Sequence, residues 1–348
     1  MVDEQGAAFA NKCMSFKSGS GISTLLITRT IEDAGGFPFA SADRTSACLG
    51  YTVTPENASR LVPLLAVDCS FEKWDVRDAK ATAEYEAEVA SESAQVVLTE
   101  NLYAAAYGAQ SVAGRPFYVP GASTDAVVSF RDRAYGLNGA VLAATGIDDH
   151  STFCMEVSEL LADSPAGSAE GPAPLTYTGG ESRLAAAAGY AHVALAFKGP
   201  ESSAVSNVVK HLLTIAGAEA GVSGFTAAGI VGVYAGSPAA GGIVDSMCAA
   251  LTGAVSSGAV KRAKGLAKAE ALFALDGGSA SLADAMTASI LESGAFSGPA
   301  EVAKAYDAVT DAQVKDALAG MLKSTPSLAA VGDISAVPYL SSVASRFS

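Results

Sequence analysis

A stretch rich in proline and glycine near the middle of the chain divides it into two parts of similar length. Residues 162–174 read Ala-Asp-Ser-Pro-Ala-Gly-Ser-Ala-Glu-Gly-Pro-Ala-Pro and contain almost no large apolar side chain. This composition favours an exposed linker over a helix or a strand. At 348 residues the chain is long enough for two domains with separate cores. We therefore predict an N-terminal domain at residues 1–162, a linker at 163–176 and a C-terminal domain at 177–348.

The hydrophobic patterns of the two parts predict a similar order of elements. In the first part we predict strands at 47–53 and 139–146 and helices at 55–66, 71–107 and 151–162. In the second part we predict strands at 191–197, 229–234 and 328–331 and helices at 202–215, 241–256, 259–273, 281–292 and 311–323. Asp311 is the predicted N-cap of the last helix. The repeated order indicates a duplicated α+β domain.

Composition and charge exclude several classes of protein. Half of the residues are hydrophobic and only 17% are charged, which is typical of a folded chain with large cores. The formal net charge of −14 argues against a nucleic-acid partner, because binding to phosphates depends on clustered lysine and arginine. Residues 220–244 carry no charge but include seven glycines and Pro238. We therefore predict a buried strand and loop there and no transmembrane span.

The cysteines and histidines form no recognisable disulfide or metal pattern. The cysteines are odd in number, widely spaced and never arranged as Cys-x-x-Cys: Cys13, Cys48, Cys69, Cys154 and Cys248. A reducing compartment, such as the cytosol or the mitochondrial matrix, fits this pattern better than a secreted protein. The three histidines are His150, His192 and His211, which are far apart, and His192 is predicted to lie in a strand. We predict no bound metal and no cofactor.

Residues 6–17 read Gly-Ala-Ala-Phe-Ala-Asn-Lys-Cys-Met-Ser-Phe-Lys and resemble the zinc helix of the pitrilysin-type metallopeptidases. In that family the helix carries His-x-x-Glu-His, in which two imidazoles bind zinc and the glutamate activates a water. Phe9, Lys12 and Cys13 stand at those three positions here. A phenyl ring cannot coordinate a metal and an ammonium repels one. The resemblance therefore implies a vestigial zinc site without catalytic residues.

The third zinc ligand of active members is a glutamate on a long helix. Glu84, Glu86 and Glu88 lie near the corresponding position. With the first two ligands replaced, we predict that these are surface carboxylates of an acidic helix face. Cys13, which lacks a neighbouring ligand in the sequence, is predicted to be a small packed side chain.

Further segments carry the same resemblance across nearly the whole chain: 28–36, with Gly35 or Gly36 as a left-handed helix stop, 71–107, 177–181 and 260–334. The segment that opens near Trp74 and closes Glu-Asn-Leu-Tyr-Ala-Ala-Ala-Tyr is most similar to the core-two branch of the family, found in mitochondrial ubiquinol–cytochrome c reductase, respiratory complex III. The resemblance implies an α+β fold of two homologous metallopeptidase-like domains, each a mainly antiparallel sheet packed with helices. Two departures are expected. The first domain lacks its opening strands, and the second is shortened between Leu213 and Phe225, where active members grip their substrate.

This resemblance implies a non-catalytic structural subunit on the matrix side of the mitochondrial inner membrane. The expected partners are a core-one homologue and other complex III subunits including cytochrome b, within the complex III dimer. The N-terminus, Met-Val-Asp-Glu, does not have the arginine-rich character of a transit peptide. The main alternative is a non-catalytic alpha-type subunit of the mitochondrial processing peptidase that binds presequences. A scaffold domain of another mitochondrial complex is a further alternative, whereas an active zinc peptidase is rejected.

Overall fold

The computed structural model describes residues 4–19, 21–65, 73–167, 175–186, 189–238, 240–253 and 256–347. The helices in chain order are α1 Ala7–Cys13, α2 Thr24–Asp33, α3 Lys73–Glu92, α4 Ala94–Tyr107, α5 Thr124–Ala134, α6 His150–Leu160, α7 Ser203–Gly217, α8 Ile243–Gly253, α9 Ser257–Asp276, α10 Ser279–Ser293, α11 Pro299–Ala308, α12 Asp311–Leu322 and α13 Leu340–Ala344. The strands are β1 Phe37–Ala42, β2 Ala47–Thr52, β3 Gly180–Ala185, β4 Ala191–Lys198, β5 Ser223–Ala227, β6 Ile230–Ser237 and β7 Ser327–Gly332. The predicted α+β class is confirmed.

The chain forms two compact units that are not contiguous in sequence. Unit one comprises Met1–Ala90, Pro116–Ala173 and Gly278–Phe296. Unit two comprises Ser91–Arg115, Pro174–Gly277 and Ser297–Ser348. Ser91–Arg115, from the first part of the chain, thus belongs to unit two, and Gly278–Phe296, from the second part, belongs to unit one. The division into two homologous domains on either side of a linker at 163–176 stays a prediction.

Unit two is built on a five-stranded sheet in the order β3-β7-β4-β6-β5. β3 and β7 run parallel, and the other neighbouring pairs are antiparallel. The central strand β4 has alternating side chains on two buried faces, as the period of two in a strand requires. Val193, Leu195 and Phe197 join the larger core cluster with residues of α7, α8, α9 and α12. Ala194 and Ala196 face the opposite side of the sheet.

Helix α4 covers that opposite face of the sheet. Leu98, Leu102 and Ala106 recur every four residues and so form one stripe along the helix. They pack on small and β-branched side chains of three strands: Ala194, Ala196, Ile230, Ala329 and Val331. Polar contacts hold the middle and the C-terminal end of α4. Asn101 Oδ1 accepts a 2.6 Å hydrogen bond from Ser182 Oγ, and the Tyr107 hydroxyl donates to the Ala228 carbonyl.

Unit one contains one strand pair among its described residues, the antiparallel hairpin β1–β2. The Asp43 carboxylate closes its turn by accepting hydrogen bonds from the amides of Thr45 and Ser46. Before this hairpin, α2 ends in front of Gly35, whose φ of 69° provides the predicted left-handed stop. A separate apolar cluster joins α1, α3 and α5, and this cluster surrounds the candidate site.

Four sequence predictions are corrected by the structure. Residues 139–146 form no strand, because the described strands of unit one are β1 and β2 and these pair only with each other. Residues 55–65 form two 3₁₀ turns instead of one helix, with Pro63 inside the second, where its ring removes a backbone donor. The helical run at 71–107 is broken at Ser93, which caps α4 by accepting from the Val96 amide. Its first two residues lie outside the described part.

The fourth correction concerns the start of α12. Thr310, not Asp311, is the N-cap. The Thr310 hydroxyl accepts from the Gln313 amide at 3.2 Å, and Gln313 Oε1 accepts from the Thr310 amide at 2.8 Å. This reciprocal arrangement is a capping box, and it satisfies two donors that a helix start leaves open.

Residues 220–244 contain β5, β6 and the start of α8, which agrees with the prediction of a buried strand and loop. In the ranges described, no single helix has the length and apolar character to cross a membrane. The two helices α8 and α9 reach that length and composition only together, across a bend of 99°.

Candidate functional site

Helix α1 carries the three vestigial positions and is fixed in unit one by its backbone and by one buried amide. Gly6, which precedes the helix, has a φ of 80°, and a Cβ there would lie 2.3 Å from the Val119 carbonyl oxygen. Asn11 is fully buried, and its Nδ2 donates to the Ala7 oxygen at 2.9 Å and to the Val127 oxygen at 3.0 Å. The second bond joins α1 to α5.

Phe9 is a core residue of unit one. Its side chain is 1% exposed. The ring centroid lies 5.7 Å from that of Phe117 and 5.3 Å from that of Tyr118, with the second pair edge to face. These are the preferred geometries of packed aromatic rings. The first vestigial position therefore contributes an apolar contact surface.

Lys12 forms an ion pair with Glu86 of α3. Its Nζ lies 2.6 Å from both carboxylate oxygens of Glu86. Of the three glutamates singled out on this helix, Glu84 and Glu88 are exposed, whereas Glu86 is half-buried and points to α1. The carboxylate is thus neutralised by an ammonium that comes from the position of the catalytic glutamate in the resembled family.

We expect the Lys12–Glu86 pair to stabilise the fold only weakly. The two side chains are 26% and 32% exposed, so solvent screens their attraction. Lys12→Met keeps the aliphatic stem and should lower the free energy of unfolding by about 1 kcal/mol or less. The loss should shrink further in 1 M salt. Urea unfolding of Lys12→Met, Glu86→Gln and the double variant measures the coupling, and a coupling well above about 2 kcal/mol would contradict this view.

Cys13 is a packed thiol in the same apolar cluster. It is 9% exposed and lies among residues of α1, α3 and α5. Burial raises the pKa of the Cys13 thiol to about 11, the nearby Glu86 adds to this rise, and Lys12 and Lys17 oppose it. The thiol is therefore protonated at neutral pH, whereas nucleophilic attack and metal ligation need the thiolate.

The buried Cys13 thiol should resist alkylation in the folded protein. With a pKa of about 11, roughly one thiol in ten thousand is a thiolate at pH 7. We expect iodoacetamide to label Cys13 at least about a hundredfold more slowly in the native chain than in urea. Peptide mass spectrometry after timed labelling measures both rates. Labelling of native Cys13 at the rate of the unfolded chain would disprove the assignment.

One buried carboxylate in this region was not foreseen from the sequence. Asp75 of α3 is 4% exposed, and it accepts hydrogen bonds from the Ser18 hydroxyl and, at 2.8 Å, from Thr24 Oγ1. It thereby joins the residues after α1, the start of α2 and the start of α3. The signal was present in the spacing, because Asp75 lies four and eight residues before the buried Ala79 and Ala83.

His192 and His211 contact different partners and do not form a common site. His192 is in β4 as predicted, with Nδ1 2.8 Å from the Tyr234 hydroxyl, and burial lowers its pKa. His211 Nε2 lies 2.7 Å from Glu270 Oε2, which Lys210 also contacts. Burial alone would raise the pKa of Glu270, but these two hydrogen bonds and charges hold it below its usual value. In the described part of the chain, no three His, Cys, Asp or Glu side chains converge on a metal position.

The segment of the second half that the resemblance predicts to be shortened, between Leu213 and Phe225, contains a compact turn. Helix α7 ends at Gly217, the short 3₁₀ helix Ala218–Ala220 follows, and Gly221 turns the chain with a φ of 68°. Strand β5 begins two residues later at Ser223. This turn contains no arginine or tyrosine.

Comparisons with known proteins agree with this fold. Residues 2–120 match the family model of insulinase, peptidase family M16. The subunit alpha of the mitochondrial-processing peptidase from Solanum tuberosum is 31% identical over 203 residues, which cover 56% of this chain and 40% of that protein. The cytochrome b-c1 complex subunit 2 from Rattus norvegicus is 25% identical over 381 residues, or 96% of this chain and 82% of that protein.

The fold also matches a solved structure over its full length. A chain of complex III2 from Candida albicans, with Inz-5 bound, superimposes with a TM-score of 0.80. The superposition covers 100% of this chain and 91% of that chain at 15% sequence identity. At this identity the match establishes the fold.

Proposed function

We propose that this homologue of the M16 peptidases is a non-catalytic, core-two-type structural subunit of mitochondrial respiratory complex III. The observation that carries the proposal is the extent of its likeness to the rat core-two subunit, which spans 96% of this chain and 82% of that protein. The likeness therefore extends over both units and is not limited to one shared domain. The match to a complex III chain over the whole fold supports the same conclusion.

The absence of peptidase chemistry is part of this proposal. Phe9 is enclosed by aromatic rings, Lys12 is paired with Glu86, and Cys13 is a protonated thiol. A catalytic zinc site needs three ligands and an open position for water. These three side chains instead make packing contacts and an ion pair, which are structural roles.

The homologues are mitochondrial by name, and we propose that this chain lies on the matrix side of the inner membrane. There it would associate peripherally with a core-one homologue and, through the complex III dimer, with subunits that include cytochrome b. An excess of negative charge, −14, suits contact with basic surfaces of partner proteins and disfavours direct binding to anionic lipid headgroups.

Purification of the native assembly tests this function. An affinity-tagged chain should be extracted in mild detergent and separated by blue native electrophoresis. We expect it to co-migrate with cytochrome b and with ubiquinol–cytochrome c reductase activity. A soluble heterodimer that lacks cytochrome b and cleaves presequences would instead establish the alternative.

That alternative, a non-catalytic alpha-type subunit of the processing peptidase, rests on a specific observation. The potato alpha subunit has a higher identity, 31%, although over a shorter stretch. If this chain were such a subunit, mixing it with a catalytic beta-type partner would produce presequence cleavage that neither chain shows alone. We expect no cleavage, because the turn at 217–223 is too short to form an extended glycine-rich substrate loop.

A further inference from the structure

The first turns of α6 place an imidazole and a thiol side by side on the surface of unit one. Asp149 caps this helix by accepting from the amides of Ser151 at 2.9 Å and Thr152 at 3.1 Å. His150 and Cys154 are therefore four residues apart in a regular helix and share one face. Both are exposed, and Cys154 Sγ lies 3.5 Å from Nε2 and 3.8 Å from Nδ1 of His150.

These distances place the sulfur and the imidazole close enough for one zinc ion to reach both. With a Zn–S bond of about 2.3 Å, a Zn–N bond of about 2.05 Å and a tetrahedral angle, the two ligand atoms are about 3.5 Å apart. We propose that His150 and Cys154 form a two-ligand surface site for a soft divalent cation such as Zn²⁺. Rotation of the exposed imidazole about its Cβ–Cγ bond would direct a ring nitrogen to the ion. Water would occupy the two remaining positions.

The other described cysteines are poorer candidates for a thiolate ligand. Cys13 and Cys248 are buried, and Cys48 is half-buried beside the carboxylate of Asp284. Burial raises the pKa of Cys48 and Cys248, and that of Cys13 to about 11. Of these four residues, Cys154 alone combines an exposed sulfur with a neighbouring imidazole.

The charge around the pair favours a cation. The Asp149 carboxylate directly precedes His150 in the chain, and it accepts hydrogen bonds from the amide of Thr152 at 3.1 Å and from the Thr152 hydroxyl at 2.7 Å. Binding releases the thiol proton: the S–H bond breaks, the sulfur donates its electron pair to the ion, and the proton passes to solvent.

Cadmium titration of the full-length protein tests the site, because a cadmium–thiolate bond absorbs in the near ultraviolet. We expect the band to appear in the wild type and to be displaced by Zn²⁺. It should persist in Cys48→Ser and in Cys69→Ser, the latter residue lying outside the described part of the chain. It should be lost in Cys154→Ser, and His150→Gln should weaken binding about tenfold or more. Circular dichroism checks that each variant is folded.

Two results would overturn the proposal. An undiminished band in Cys154→Ser would place the metal elsewhere. Equal affinity of His150→Gln and the wild type would show that the thiol binds without the imidazole. Both residues are exposed, so neither outcome can be attributed to a collapsed core.

Discussion

Phe197→Ala should lower the free energy of unfolding of the chain by about 3–5 kcal/mol, as expected when a fully buried aromatic side chain is truncated. Phe197 is 0% exposed on the central strand β4. It belongs to the cluster that joins the sheet to its helices, and its ring meets that of Phe347 edge to face at 5.3 Å. The substitution removes these contacts and leaves a cavity that close-packed neighbours cannot fill completely.

Phe273→Ala is the matched control, because it makes the same chemical change on α9 at a side chain that is 72% exposed. We expect it to change the free energy of unfolding by about 0.5 kcal/mol or less. Urea unfolding followed by circular dichroism measures both variants. Equal effects of the two substitutions would mean that β4 is not the centre of the core.

The second large effect is expected at Asp75. Asp75→Ala removes the carboxylate that accepts from Ser18 and Thr24 and leaves the Ser18 and Thr24 hydroxyls without that acceptor. Hydrogen bonds to a charged group contribute about 1.5–3 kcal/mol each, and an unmade buried bond costs about as much. We expect the free energy of unfolding to fall by about 2–4 kcal/mol.

The control for Asp75 lies on the same helix. Asp78→Ala removes a carboxylate that is 59% exposed and paired only at 3.4 Å with Arg77, so we expect little change in stability. Asp75→Asn keeps an acceptor oxygen and should be intermediate. Thermal and urea unfolding distinguish the three, and Asp75→Ala as stable as Asp78→Ala would contradict the role assigned to this carboxylate.

The sequence predicts the second half of the fold better than the first. Strands β4, β6 and β7 and helices α7 to α10 and α12 lie close to their predicted positions. The strands are short apolar runs, and the helices carry apolar residues at helical spacing. Residues 139–146 have the same apolar character and form no strand. A strand depends on a hydrogen-bonded neighbour, which the local sequence does not reveal.

The sequence likewise predicts some features of the candidate site and not others. The replacement of metal ligands by Phe9 and Lys12 can be read directly from the motif. The ion pair with Glu86 cannot, because residues 12 and 86 meet only after α1 and α3 have packed. The burial of Asp75 does not follow from its residue type, because an aspartate is usually a surface residue, although its spacing to Ala79 and Ala83 marks the buried side of α3.

The position of α4 in the sequence determines how long its apolar stripe stays exposed during translation. This helix is synthesised about 220 residues before β7, one of the strands against which Leu98, Leu102 and Ala106 pack. Until then the sheet lacks the strand between β3 and β4, so the apolar stripe of α4 is incompletely covered. Contacts so distant in sequence also form slowly. A ribosome-bound chain stalled just before Ser327 should therefore bind molecular chaperones and be cut readily by proteases. Release after β7 should end both.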